Sequence, residues 1–270
     1  MSAGERAGAE ASASDVGVVG KGGAPRARGS AGGAELSATP IVALDFPSWQ
    51  QARELVHLLG AHCRFYKVGL ELFIAEGPQV VQGLRDEGCD VFLDLKLHDI
   101  PATMRGAARS AARLGASLLT VHASAGEEGV RAAVEGAGAE TRILAVTVLT
   151  SLDGVSLATT WGRGGGVDVE AEVLRLAGVA RAAGAHGVVC SGHEAESVRA
   201  AYGSELVPLV PGIRLPGGDA HDQRRVMTPG QAARAGAGYL VLGRAVRAAA
   251  DPVAAMEAVN AELELAARAG

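Results

Sequence analysis

Cysteine, lysine, aromatic residues and long apolar runs are all scarce in this chain, and each scarcity excludes something. Only three cysteines occur in 270 residues, Cys63, Cys89 and Cys190, with no CxxC pair. An odd, unpaired set argues against a disulfide framework and against a zinc ribbon, and favours a reducing compartment. No apolar run approaches the roughly 18 residues that a membrane-spanning helix needs. The N-terminus also lacks the basic region followed by an apolar core of a secretory signal. Positive charge is not in excess either: the net charge is -5 and charged residues are 20%, so the basic footprint of a nucleic-acid or membrane-surface binder is missing. These counts predict a soluble cytoplasmic protein with neither nucleic acid nor membrane as partner. What is present in quantity is hydrophobic residue, 48% of the chain, enough to bury a sizeable core in one large domain or two small ones.

Lysine is the most informative scarcity. Of 25 basic residues only Lys21, Lys67 and Lys96 are lysine, so a generic surface cation here is arginine. Lysine differs from arginine in being able to give up a proton near neutral pH once its surroundings tune it. Lys67 and Lys96 each fall near the end of a predicted strand, which marks them as chemical or substrate-binding groups.

Residues 1–38 hold 10 Ala, 9 Gly and 5 Ser, and the first aromatic residue is Phe46. Such a segment buries too little apolar area to offset its ordering entropy and is expected to be a disordered extension. From Ile41 the pattern becomes short apolar runs, each followed by helix-period sequence and a Gly-containing turn. The predicted strands are 41–45, 65–68, 91–95, 117–122, 143–149, 187–190, 206–210 and 239–243. Several helices end in one junction, seen in ARLGASLLTVH, ARAAGAHGVVC and ARAGAGYLVLG, where glycine suits the left-handed position that closes a helix. Eight strands alternating with helices over residues 39–270 is the arithmetic of a single (β/α)8 TIM barrel, for which about 250 residues is typical. A doubly wound open sheet has the same alternation, and strand counting alone does not show closure. The least regular parts are Pro208 inside the seventh run and the polar stretch 215–228; residues 252–267 read as a closing amphipathic helix.

Barrel chemistry gathers at the C-terminal ends of strands. The first predicted strand ends in Asp45 and the second carries Lys67. The third runs into Asp94-Leu-Lys96-Leu-His98-Asp99-Ile100-Pro101. Asp94 and Lys96, two apart, share a strand face, and Asp99 adds a carboxylate just beyond. Burying such charges is costly unless they pair, and a lysine flanked by carboxylates has its protonated form favoured, ready to deliver a proton. A structural ion pair is the competing explanation. At the other end of the chain Gly243 and Arg244 follow the eighth strand and open a helix, a setting that favours an anion, and the loops after strands seven and eight are the common phosphate site of barrels. Pro211-Gly212-Ile213-Arg214 adds a second arginine, and the Gly-rich segment from Arg214 to Gln223 has the character of a lid. His98 reads as a packing residue and His122, at the end of strand four, as an open case. The remaining histidines show no metal-ligand spacing, and Trp161 with Gly162–Gly166 has no assigned role.

IVALD, FYKVG, DLKLHDIPAT, VTVLTS, GVVCS, PGIR, DQRR.MTP and GRAV, in this order and spacing, resemble the orotidine 5′-phosphate decarboxylase family from about Ile41 to the C-terminus. The resemblance implies that Asp45 and Lys67 hold ribose hydroxyls. It implies that Asp94, Lys96 and Asp99 form a charged array in which Lys96 protonates C6 of the pyrimidine. Thr150 would meet the pyrimidine edge, and Arg214, Gln223, Gly243 and Arg244 the phosphate. Asp99 and Thr103 act in the partner subunit's site in this family, so the implied form is a homodimer with shared sites acting on a small-molecule nucleotide, with no metal and no organic cofactor. One departure is Ala102, where the family usually has Asn. Two other functions remain to be distinguished: a related barrel enzyme acting on a sugar phosphate with Mg2+, and a catalytically silent nucleotide binder, which the intact Asp94, Lys96 and Asp99 disfavour.

Overall fold

A computed structural model describes residues 38–215 and 227–269. Eight parallel strands follow the predicted order: β1 (Thr39–Ala43), β2 (Phe65–Gly69), β3 (Asp90–Leu97), β4 (Leu118–His122), β5 (Arg142–Val146), β6 (Gly187–Val189), β7 (Val207–Val210) and β8 (Tyr239–Leu242). Each pairs with the next, and β8 returns to β1 with Thr39 opposite Tyr239 and Val42 opposite Leu242. That last ladder closes the barrel and excludes the open doubly wound sheet. β1 stops two residues before its predicted end, so Asp45 stands in the loop above the strand rather than on it. The expected extension of residues 1–38 lies, except for Ala38, outside the described residues.

The recurring junction does what its glycine suggests. Gly115, Gly184 and Gly236 have φ of 82°, 78° and 90°, a region in which only glycine is unstrained. At each, the following alanine N–H reaches back to the last helical turn: Ala116 to Ala111 O, Ala185 to Ala180 O and Ala237 to Ala232 O. Orphan carbonyls of the helix end are thereby satisfied and the chain is aimed into the next strand. At the other helix ends, Asp153 and Asp251 accept the first free N–H groups, and Thr228 forms a capping box with Gln231. The closing helix runs Pro252–Arg268. Among the described residues no helix is long and apolar enough to cross a membrane.

Strand alternation sorts the core into two layers. Ile41, Ala43, Phe92, Leu118, Leu144, Leu209, Tyr239 and Val241 fill the barrel interior, while Val42, Leu44, Val91, Leu93, Leu119 and Val188 pack outward against the helices. The interior packing continues upward in steps of two. Above Phe65 comes Lys67, above Phe92 comes Asp94, and above Leu118 comes Thr120, so on β2, β3 and β4 the interior turns polar toward the top of the barrel. Pro208 is tolerated because its carbonyl accepts from Gly238 N while its missing donor precedes the first β7–β8 pair, Leu209 with Tyr239.

β3 departs from a regular strand near its top. Leu93 is opposite Leu119, yet Leu97 is opposite Val121, so β3 has two residues more than β4 over this interval. Lys96 takes up the excess with a φ of 51°, the one non-glycine positive φ among the described residues. Bulges and sparsely populated backbone conformations of this kind concentrate beside functional sites, where they re-aim a side chain.

Candidate active site

Four charged side chains form an alternating chain across the barrel mouth. Lys67 Nζ donates to Asp45 Oδ1 at 2.9 Å and lies 3.6 Å from Asp94 Oδ2. Lys96 Nζ meets both oxygens of Asp94, at 2.8 and 2.9 Å. The order is Asp45, Lys67, Asp94, Lys96, drawn from the loop after β1, from β2 and from β3. Lys67 and Asp94 are each 8% exposed, which makes their pairing obligatory, because an unpaired ion at such a site carries a penalty of several kcal/mol. Burial alone pushes the Asp94 carboxyl up, but Lys67, Lys96 and the hydrogen bonds from Lys96 and Thr120 together hold it below the ordinary carboxylate value. It is therefore an anion at neutral pH.

Thr120 is the residue that sequence reasoning passed over. Fully buried on β4, its hydroxyl accepts from the backbone N–H of Lys96 at 2.9 Å and donates to Asp94 Oδ1 at 2.8 Å. One hydroxyl thus satisfies the N–H that the bulge removes from the ladder and fixes the carboxylate that the lysine addresses. Its signal in the sequence was a polar residue at an interior position of SLLTVH. Gly69 has a related role. A Cβ there would stand 2.8 Å from Lys67 Nζ and 3.3 Å from Asp45 Oδ1, so the bare backbone after β2 is what leaves room for that pair.

The charged chain separates two adjoining cavities. One, of about 170 Å³, is lined by Lys67, Asp94, Lys96, Thr150 and apolar side chains including Val146, Val148 and Leu209. The other, of about 270 Å³, is lined by Asp45, Lys67, Arg214, Gly243, Arg244 and Arg247 among others. Lys67 lines both. The first has the apolar walls and few convergent polar groups of a site for a flat ring, and the second has the cation density of an anion site. Arg247 was not anticipated; its signal is its place three residues after Arg244, one turn along the helix Arg244–Arg247. Arg214 Nη1 donates to Ile213 O at 2.9 Å, and Arg214 N bonds to Met227 O at 2.9 Å. Gln223 and the rest of the expected lid, 216–223, lie outside the described residues.

Asp99 and Thr103 do not join this cluster within the chain. Both are exposed, at the start of the helix Pro101–Arg113, and Asp99 Oδ1 accepts from Ile100 N at 2.6 Å. The picture of one lysine between two carboxylates of the same chain is accordingly met by Asp94 alone, because the turn into the helix carries Asp99 away from Lys96. His122 does not line the ring-sized cavity. It packs edge-on against His98 at 5.6 Å between centroids, and burial, then His98 and Lys96, hold its ring below the usual imidazole value. His98 in turn lies 3.4 Å from Ser124 Oγ.

A model of the orotidine 5′-phosphate decarboxylase / HUMPS family matches residues 39–259. A protein of Anaeromyxobacter dehalogenans named orotidine 5′-phosphate decarboxylase is 54% identical over 221 residues, covering 82% of this chain and 96% of its own length. One of the same name from Moorella thermoacetica is 48% identical over 233 residues, covering 83% and 92%. Among solved structures, orotidine 5′-phosphate decarboxylase from Lactobacillus acidophilus matches with a TM-score of 0.75 at 36% identity, covering 84% of this chain and 99% of the other.

Proposed function

The chain belongs to the orotidine 5′-phosphate decarboxylase / HUMPS family, and on that premise we propose that it converts orotidine 5′-phosphate to UMP, the last step of de novo UMP synthesis, with Lys96 as the proton donor. The observation that carries this reading is the Asp45, Lys67, Asp94, Lys96 chain lying between a ring-sized and an anion-sized cavity.

In the proposed reaction the bond from C6 to the carboxylate breaks, CO2 leaves, and the electron pair remains on C6. The ring cannot readily delocalise that pair, so its stabilisation falls to the protein's electrostatics and to positioning. Lys96 sets an ammonium where the charge develops and transfers one proton to C6; solvent returns a proton to its amine. Asp94, an anion throughout, orients Lys96 and stands close to the departing carboxylate. Its repulsion of that group disfavours the bound substrate relative to the transition state. Asp45 and Lys67 address the ribose hydroxyls, and Thr150 the pyrimidine edge. Arg214, Gln223, Gly243 and Arg244 bind the phosphate, whose binding energy offsets the cost of ordering the site.

Asp99 and Thr103 are proposed to complete the site of a second copy, which makes the working form a homodimer. Their exposure, and that of Ile100 at 66% beside them, supports this reading. Cys63, Cys89 and Cys190 are free, buried thiols, in keeping with a cytoplasmic place of action.

The test is the ultraviolet absorbance change of orotidine 5′-phosphate mixed with the purified protein in EDTA, with Lys96→Ala alongside. Conversion to UMP by wild type alone is expected. No conversion by folded wild type refutes the assignment, and activity that requires added Mg2+ on a sugar phosphate replaces it.

A further inference from the structure

Arg247 is a half-buried cation whose position nothing in the charged chain explains. It lines the same cavity as Arg244 and Arg214, and its guanidinium lies over the ring of Phe46, 5.3 Å from the centroid. Its Nε is buried without a hydrogen-bond partner, and among the described residues it makes no ion pair. Asp45 is the one carboxylate among the described residues lining that cavity, and it already accepts from Lys67 at 2.9 Å. A guanidinium seated over an aromatic ring has its fork pre-organised, and that fork matches the oxygens of a phosphoryl group. Arg247 thus presents at the cavity wall a guanidinium that no described residue pairs with, a charge suited to an anionic ligand group.

We propose that Arg247 is a further phosphate-binding residue of this site, with Phe46 as the residue that positions it. The ligand class is a phosphate monoester, and the proposal rests on the nucleotide reading above. Phe46, directly after Asp45 in the loop above β1, and Arg247, in the turn after β8, are brought together by the β8–β1 ladder that closes the barrel. The phosphate subsite and the ribose-side residue Asp45 are thereby tied to one seam of the fold.

The test compares UMP and uridine, which differ only in the phosphate, by calorimetric titration of the full chain. Arg247→Met keeps the apolar stem against Phe46 and removes the fork. It is expected to raise the UMP Kd 10- to 100-fold and leave that of uridine within twofold. Arg247→Lys, which restores charge without the fork, is expected to lose 3- to 10-fold for UMP, and it carries the test if the methionine variant does not fold. Equal weakening of UMP and uridine would mean that Arg247 only shapes the fold, and overturns the proposal. If Arg247→Met leaves UMP unaffected while Arg244→Ala weakens it, Arg247 is not a phosphate ligand and the nucleotide reading stands. If neither variant affects UMP, the phosphate assignment of the whole cavity falls.

Discussion

The contact between Asp94 and Lys96 can be measured as a coupling energy. The pair is intermediate in burial, the Lys96 side chain 31% and the Asp94 side chain 11% exposed, with Nζ within 2.9 Å of both carboxylate oxygens. Exposed pairs are worth about 0 to 1 kcal/mol, whereas removing one partner of a buried pair costs about 3 to 5 kcal/mol. We expect a double-mutant cycle built on Asp94→Asn and Lys96→Met to give a coupling of about 2 kcal/mol. Asp94→Asn should be the costlier single change, at about 3 kcal/mol, because Lys67 loses its second carboxylate along with Lys96. Lys96→Met leaves Asp94 with Lys67 and Thr120. The assay is urea unfolding followed by tryptophan fluorescence at pH 7. The pH dependence has a defined sign. Asp94 titrates below its ordinary value when folded, so its contribution is complete above the unfolded carboxylate pKa of about 4 and is lost as the pH falls through the lowered value. The coupling should therefore shrink as the pH is taken below the usual carboxylate range. A coupling under about 0.5 kcal/mol at pH 7, or one unchanged in acid, refutes the claim that Asp94 holds Lys96.

Three further outcomes follow from other contacts. Gly69→Ala places a methyl group against Lys67 Nζ and should raise KM for the nucleotide about 10-fold, roughly 1.4 kcal/mol, with a smaller change in kcat; an unchanged KM would show that the Lys67 and Asp45 pair does not set binding. In Gly187→Ala the new Cβ would stand 2.1 Å from the backbone oxygen of Val207, across the β6–β7 pair. The expected loss of about 3 kcal/mol or more lowers Tm by about 6 to 12 °C, and a melt within 2 °C of wild type contradicts it. His186, whose Nε2 lies 3.2 Å from the Tyr239 hydroxyl, is pushed down to about 4 by burial and then by Arg142. The unfolded chain takes up that proton first, so wild type should lose stability as the pH falls from about 6.5 toward 4. His186→Gln should flatten that slope by up to one proton, and parallel profiles would exclude His186 as its source.

What the sequence made legible was local and periodic. Eight apolar runs, glycine junctions at 115, 184 and 236, and the two-residue spacing of Asp94 and Lys96 all depend on near neighbours along the chain, and all reappear in the structure. What escaped depends on pairing between strands. The excess residues in β3 exist only relative to β4, so the left-handed Lys96 and the hydroxyl of Thr120 that satisfies it could not be read from either strand alone. The Lys67 bond to Asp45 requires β1 and β2 to be adjacent, and the approach of Arg247 to Phe46 requires the barrel to close. Asp99 is close to Lys96 in sequence and apart from it within the chain, because the turn into the helix Pro101–Arg113 intervenes.

Lys67 is a common wall of two compartments of different character, one suited to a ring and one to an anion. For inhibitor design this is a two-room site with a shared partition. A small flat heterocycle and a small dianion need not compete, and each can be optimised separately against its own room. Joining them by a linker that passes Lys67 would convert the second binding event into an intramolecular one, with a gain set by how well the linker matches that short span. The partition also sets the constraint: a linker that displaces Lys67 from Asp45 forfeits part of what the connection gains, so the best linkers should carry a hydroxyl or another acceptor at that point.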